Sequence, residues 1–219
     1  MTTQNLSLYH LVRPANDTSK KAPLLLLLHG YGSNEEDLFS FASELPEDYF
    51  IVSARAPYDL QPYGHAWYAI HFTADNEKFS NDEEARVSRD TIATFIDELI
   101  DTYPIDANNV NLIGFSQGTI LSYSVALSYP EKIKNVVALS GYLNESILTN
   151  DYTDKDHSHL DFYISHGSVD QVIPYTWANK APAFLDKLNI KNSYREFPVG
   201  HGVAPQNFFE FKTWLESKL

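Results

Sequence analysis

Residues 112–118 read "LIGFSQG", a serine held between two glycines. An apolar run precedes it ("NVNLI", 109–113) and a longer apolar stretch follows ("TILSYSVAL", 119–127). Glycine in a strand or helix costs stability relative to alanine, so Gly114 and Gly118 need a reason. Either the segment is an ordinary tight turn, or the glycines clear space for a serine exposed at a sharp strand-to-helix bend. In the second case Ser116 is forced toward an unfavourable backbone conformation, as a nucleophile at such an elbow is. It then also stands at the positive end of the following helix, where negative charge developing on a carbonyl oxygen is favoured.

The flanking chain decides what surrounds this bend. Strands are expected at 6–12, 23–28, 50–54, 109–113, 135–139, 161–165 and 193–197. Several are unbroken apolar runs, such as "LLLLL" (24–28) and "NVVAL" (135–139), the pattern of strands buried on both faces of a parallel sheet. Helices are expected at 35–44, 84–103, 117–129, 176–189 and 205–218. In the second, Ile92, Phe95, Ile96, Leu99, Ile100 and Tyr103 share one face, with Asp90, Asp97 and Asp101 elsewhere. The helix at 117–129 is apolar nearly all round and should be buried. Alternation of this kind predicts an α/β fold with a mostly parallel central sheet flanked by helices on both faces. At 219 residues the chain suits a single domain spanning 1–219.

In such folds chemistry collects at the carboxyl ends of the strands. Four exits carry suggestive residues: "HGYGSNEEDL" after 28, "GFSQG" after 113, "HGSVDQVIP" after 165 and "VGHGV" after 198. Serine is a poor nucleophile until a base takes its proton. Of the eight histidines, His10 falls in the first strand, where a structural or edge position suffices. His29 and His166 each precede a glycine at a strand exit, where a hydrogen bond stiffening the loop is the expected role. His201 has glycines on both sides between the last strand and last helix, so it is the expected general acid/base. Asp170 can hold that imidazole in the required tautomer, although capping a turn is its bland alternative. The chain order Ser116, Asp170, His201 favours the catalytic reading.

The composition narrows the partners. With 16 basic and 29 acidic residues the formal charge is −13, and no run of Lys or Arg can neutralise phosphates, so nucleic acid is not an expected partner. The same deficit opposes charge-driven docking on anionic lipid. No cysteine is present, which excludes disulfides and thiol chemistry. "MTTQNLSLYHLVRP" lacks a basic lead and apolar core, so no signal peptide is expected. The longest apolar run is far short of a membrane span, and a cytoplasmic protein without stable membrane insertion is expected. "DKDHSHLD" (154–161) is read as a solvated loop, not a metal site. The long aromatic stretch 58–79 offers Tyr63, Trp67, Tyr68 and Phe72 as pocket walls, with closing the core as an equal alternative.

Taken together, "LLLHGYGSNEEDL", "APYDLQPYGHAWY", "GFSQG", "HGSVDQVIP" and "GHGV" resemble the phospholipase/carboxylesterase family of the α/β-hydrolase fold, which includes the acyl-protein thioesterases. The resemblance runs from about residue 20 to 215. It implies hydrolysis of carboxylic esters, with thioesters and lysophospholipids as further candidates, through an acyl-enzyme without cofactor or metal. It makes Ser116 the nucleophile, His201 the base and Asp170 its partner. It places the oxyanion hole at the backbone N–H groups of Tyr31 and Gln117, and sets Trp67 near the acyl pocket. The thioesterase branch has G-D-T-G where this chain has "GSNEEDL", and glycine where this chain has Thr119, so a bacterial-type carboxylesterase is the nearer likeness. The expected partner is a small-molecule ester, with homodimerisation left open. The reading from another class is a non-catalytic ligand-binding protein of the same fold.

Overall fold

The structure is a computed structural model that describes residues 6–72 and 78–219, the side chains at 71, 72, 78 and 79 excepted. The chain begins β1 (His10–Arg13), β2 (Ala22–Leu28), α1 (Glu36–Phe39) and β3 (Phe50–Ala54). Four short strands follow: β4 (Tyr58–Asp59), β5 (His65–Ala66), β6 (Ile70–Phe72) and β7 (Lys78–Ser80). Next come α2 (Asp82–Thr102), β8 (Ile105–Phe115), α3 (Gln117–Ser128) and β9 (Asn135–Leu139). The rest is β10 (Asp161–Gly167), α4 (Tyr175–Ala178), α5 (Ala181–Lys187), β11 (Lys191–Phe197) and α6 (Pro205–Glu216).

Seven strands form one sheet in the order β1-β3-β2-β8-β9-β10-β11. Only β1 runs antiparallel to its neighbour; the other pairings are parallel. Because side chains alternate across a strand, "LLLLL" serves both faces. Leu24, Leu26 and Leu28 pack in the layer that holds Phe95 and Ile96 of α2 and Leu121 of α3. Leu25 and Leu27 pack in the opposite layer with Leu38 of α1 and Phe211 and Leu215 of α6. An unbroken leucine run is therefore what a strand buried on both sides requires.

Local chemistry sets the element ends. The Asn81 side chain accepts from the Glu84 N–H and starts α2, with Asp82, Glu83 and Glu84 in the favourable first turn. Every residue of α3 is buried, as its apolar circumference requires. The first strand starts later than expected, at His10, although Leu6 and Leu8 still pack on the core. The single helix expected at 176–189 is two pieces, α4 and α5. Pro182 has no N–H to give and crowds the carbonyl four residues earlier, so one continuous helix cannot form. Among the described residues no helix is long and apolar enough to cross a membrane.

The topology locates the site. From β2 the chain moves outward through α1 to β3, whereas from β8 it moves the other way through α3 to β9. The connections diverge between the carboxyl ends of β2 and β8, which opens a crevice there. His29-Gly30-Tyr31 leaves one side of it and Ser116 the other.

Candidate active site

Ser116 is the single residue between β8 and α3, with φ 53° and ψ −115°. A left-handed φ of this kind is costly for a residue with a Cβ, and close packing on every side imposes it. A Cβ added to Gly118 would lie 2.0 Å from the Leu28 carbonyl oxygen, and one on Gly114 would lie 2.5 Å from the Gly118 carbonyl oxygen. The two glycines thus let α3 cross directly over the ends of β2 and β8. The Ser116 N–H donates to the Leu139 carbonyl at 3.0 Å. Beneath the bend, the Thr119 hydroxyl lies 2.7 Å from the Gly114 carbonyl and 2.6 Å from that of Leu139.

Asp170 and His201 arrive on loops that leave the adjacent parallel strands β10 and β11. The loops are laced together: Ser168 N–H donates to the Phe197 carbonyl at 2.8 Å and Val169 N–H to that of Val199 at 3.3 Å. Nδ1 of His201 donates to Oδ2 of Asp170 at 2.7 Å, and Nε2 accepts from Oγ of Ser116 at 2.9 Å. The ring of Phe115 packs against the imidazole at 5.0 Å between centroids. Residues far apart in sequence therefore meet in one hydrogen-bonded relay.

The Asp170 side chain is fully buried. Burial alone would raise its pKa, but hydrogen bonds from His201 and from the Ile173 and Val172 amides outweigh that and hold the carboxyl below its ordinary range. Behind it, Nε2 of His166 donates to the Ile173 carbonyl at 3.0 Å, tying the turn that carries the acid. His29 acts similarly at the other exit. Its Nδ1 bonds to the Gly30 carbonyl at 2.7 Å and its Nε2 accepts from the Ala56 N–H at 3.1 Å. Burial lowers its pKa, so the ring stays neutral, as the accepting Nε2 requires.

A cavity of about 280 Å³ opens above Ser116 and His201 and is bordered by Tyr31, Gln117 and Tyr68. Among the described residues the amides of Tyr31 and Gln117 have no backbone acceptor, and Gln117 opens α3, whose first N–H groups lack intrahelical partners. The cavity wall differs from expectation. Trp67 is fully buried and does not reach the cavity; its Nε1–H donates to the His29 carbonyl at 2.9 Å. Tyr63 is 87% exposed at the loop tip. The Phe72 side chain lies outside the described residues. Of the four aromatics, Tyr68 alone is a described cavity wall, joined by Ile70.

Sequence reading missed the Gln117 side chain. Its Oε1 accepts from the Trp67 N–H and its Nε2 donates to the Tyr68 carbonyl, both at 2.8 Å, which clamps the aromatic stretch onto the elbow. A glutamine beside the serine, in a helix that is otherwise free of amide and charged side chains, was the available signal. It also missed Tyr142 and Trp177 as cavity walls, which no motif marks. The expectation of a solvated loop at 154–161 holds for Asp154, Asp156, Ser158 and His159, which are exposed, and fails for His157. His157 is buried and bonds to the Leu127 carbonyl at 3.0 Å, while His159 bonds to that of Pro130 at 2.8 Å. Both imidazoles serve carbonyls near the end of α3. Among the described residues no cluster of three or more His, Asp or Glu is placed to hold a metal ion.

Comparison with known proteins agrees with this architecture. The model of the phospholipase/carboxylesterase family matches residues 12–219, and the chain belongs to that family. It is 26% identical over 215 residues to acyl-protein thioesterase 1 of Kluyveromyces lactis, covering 91% of each chain. It is 27% identical over 117 residues to a probable carboxylesterase, SOBER1-like, of Arabidopsis thaliana, a match covering 52% of this chain and 44% of that one. The crystal structure of the Bacillus cereus carboxylesterase superposes with a TM-score of 0.85 at 21% identity, over 98% of this chain and 96% of that one. The expected α/β-hydrolase fold is thereby shown.

Proposed function

We propose that the chain is a serine esterase that hydrolyses carboxylic esters or thioesters through an acyl-enzyme on Ser116. The observation that carries this reading is the relay Ser116–His201–Asp170 with contacts of 2.9 and 2.7 Å at the rim of a cavity. Oγ of Ser116 attacks the carbonyl carbon while its proton passes to Nε2 of His201. Asp170 balances the imidazolium that results. The amides of Tyr31 and Gln117 receive the oxyanion, each donor being worth about 3 kcal/mol. When the tetrahedral adduct collapses, His201 returns the proton to the departing alcohol or thiol. Water then repeats the attack, with His201 again as base, and the acid leaves.

The excess of acidic over basic residues supports a neutral small-molecule ester as partner and disfavours nucleic acid. The lack of cysteine suits, without requiring, a cytoplasmic setting. A non-catalytic binding protein would have no use for the left-handed strain at Ser116 or for a carboxylate buried against an imidazole. Hydrolysis of 4-nitrophenyl butyrate and of butyryl thioesters, compared with Ser116→Ala, tests the reading. Turnover by the native chain that the variant loses is expected; equal rates would refute it.

A further inference from the structure

Two cavities meet at one aromatic wall. The cavity at Ser116 has, besides the reacting groups, apolar walls such as Ile70, Ile120 and Ile173. A second cavity of about 360 Å³ lies beside it and shares Ser80, Tyr142 and Trp177 with the first. Beyond those shared residues its described lining is mainly polar, with Asp82, Asn144, Ser146 and Lys180. Asp82 is already engaged there, accepting from the Ser146 hydroxyl at 2.5 Å. The rings of Tyr142 and Trp177 pack edge-to-face, 5.2 Å between centroids and 70° between planes. Trp177 sits on the short helix α4, just beyond the turn that holds Asp170.

We propose that the Tyr142–Trp177 pair sets a length limit on the apolar arm of the substrate, so that the protein takes short-chain esters and turns long-chain ones away. This rests on the esterase reading above and names its substrate class. A chain long enough to run along the apolar walls past the aromatic pair enters the polar cavity. There it would strip water from Asp82 and Lys180 without replacing those contacts, which is unfavourable. Up to the pair, each methylene is buried on apolar walls and is rewarded.

The test uses 4-nitrophenyl esters from acetate to dodecanoate, and alkyl acetates of the same lengths, so that either arm of the ester can report. In one series kcat/KM should rise by up to about fourfold per methylene while the arm stays on the apolar walls and then fall. Trp177→Ala should raise the decanoate-to-butyrate ratio by about tenfold or more, since it joins the two cavities. Trp177 is 43% exposed, so its loss should not prevent folding, and Tyr142→Leu offers a second variant with the same expected direction. Binding of the same esters to Ser116→Ala by calorimetry should show the same limit in Kd, and Trp177→Ala in that background should relax it. If the native chain cleaved no ester at all, the esterase reading would fail while the binding series still decided the length limit. Dodecanoate handled as well as butyrate in both series, or a ratio unmoved by both variants, would overturn the proposal.

Discussion

The corner where Ser116, Asp170 and His201 meet and the aromatic stretch 58–80 border the same cavity, but they are built by different rules. The corner hangs on the ends of β8, β10 and β11, whose parallel registers fix where each loop begins. The stretch pairs mainly with itself, β4 with β5 and β6 with β7, and is held to the corner by the Gln117 side chain and by Trp67 on His29. The geometry of the proposed triad thus comes from the sheet, while the pocket wall is a separate layer clamped on top. Substitutions at the corner should cost turnover, and substitutions in the layer should cost stability or selectivity.

The largest effect expected is at the corner. Asp170→Asn leaves the shape intact but favours the wrong imidazole tautomer, and kcat on 4-nitrophenyl butyrate should fall by as much as about 10⁴-fold. The native acid limb follows from the same geometry. Asp170 is held below its ordinary range, so its carboxylate stays charged against the imidazole in mild acid and its own protonation does not limit turnover there. A rate lost with the titration of an ordinary carboxyl, at about pH 4, would contradict a carboxylate held below that range. Next comes the crossing under the corner. Gly118→Ala drives a methyl group into the Leu28 carbonyl, and denaturant unfolding should show a loss of about 3 kcal/mol or more; a native midpoint would mean that α3 can lift off the strand ends.

Smaller effects separate the layer from the corner. Trp67→Phe leaves the buried His29 carbonyl without its indole donor, and should cost about 1–3 kcal/mol of stability by urea titration with little direct effect on the chemical step. A collapse of kcat without loss of stability would instead place Trp67 at the reacting groups. Tyr63→Ala, at an 87% exposed tip, should change stability by less than about 0.5 kcal/mol and leave butyrate turnover unchanged. A large rise in KM would show that the tip closes over the substrate.

The same contrast explains what was legible in the sequence. The sheet could be read because burial on both faces writes itself as "LLLLL" and "NVVAL", and the elbow because only glycine fits where α3 crosses β2 and β8. Asp170 and His201 stood out because each follows a strand end and each lies beside a glycine-bearing turn. The pocket wall was obscure because an aromatic residue reads alike whether it lines a cavity or fills the core. Trp67 and Tyr68 are neighbours, yet Trp67 braces the interior while Tyr68 borders the cavity. Tyr142 and Trp177 come from segments with no motif, and only the fold brings their rings together. The imidazole of His157 looked solvated because its carbonyl partner near the end of α3 is contributed from thirty residues earlier in the chain.

The most direct measurement is covalent capture by a fluorophosphonate, read by intact mass and peptide mapping on the native chain and on His201→Ala. Because only an activated hydroxyl displaces fluoride from phosphorus at a useful rate, one adduct per chain is expected, located on Ser116 and formed far more slowly in the variant. Absence of an adduct, attachment at another serine, or equal rates with and without the imidazole would contradict the account.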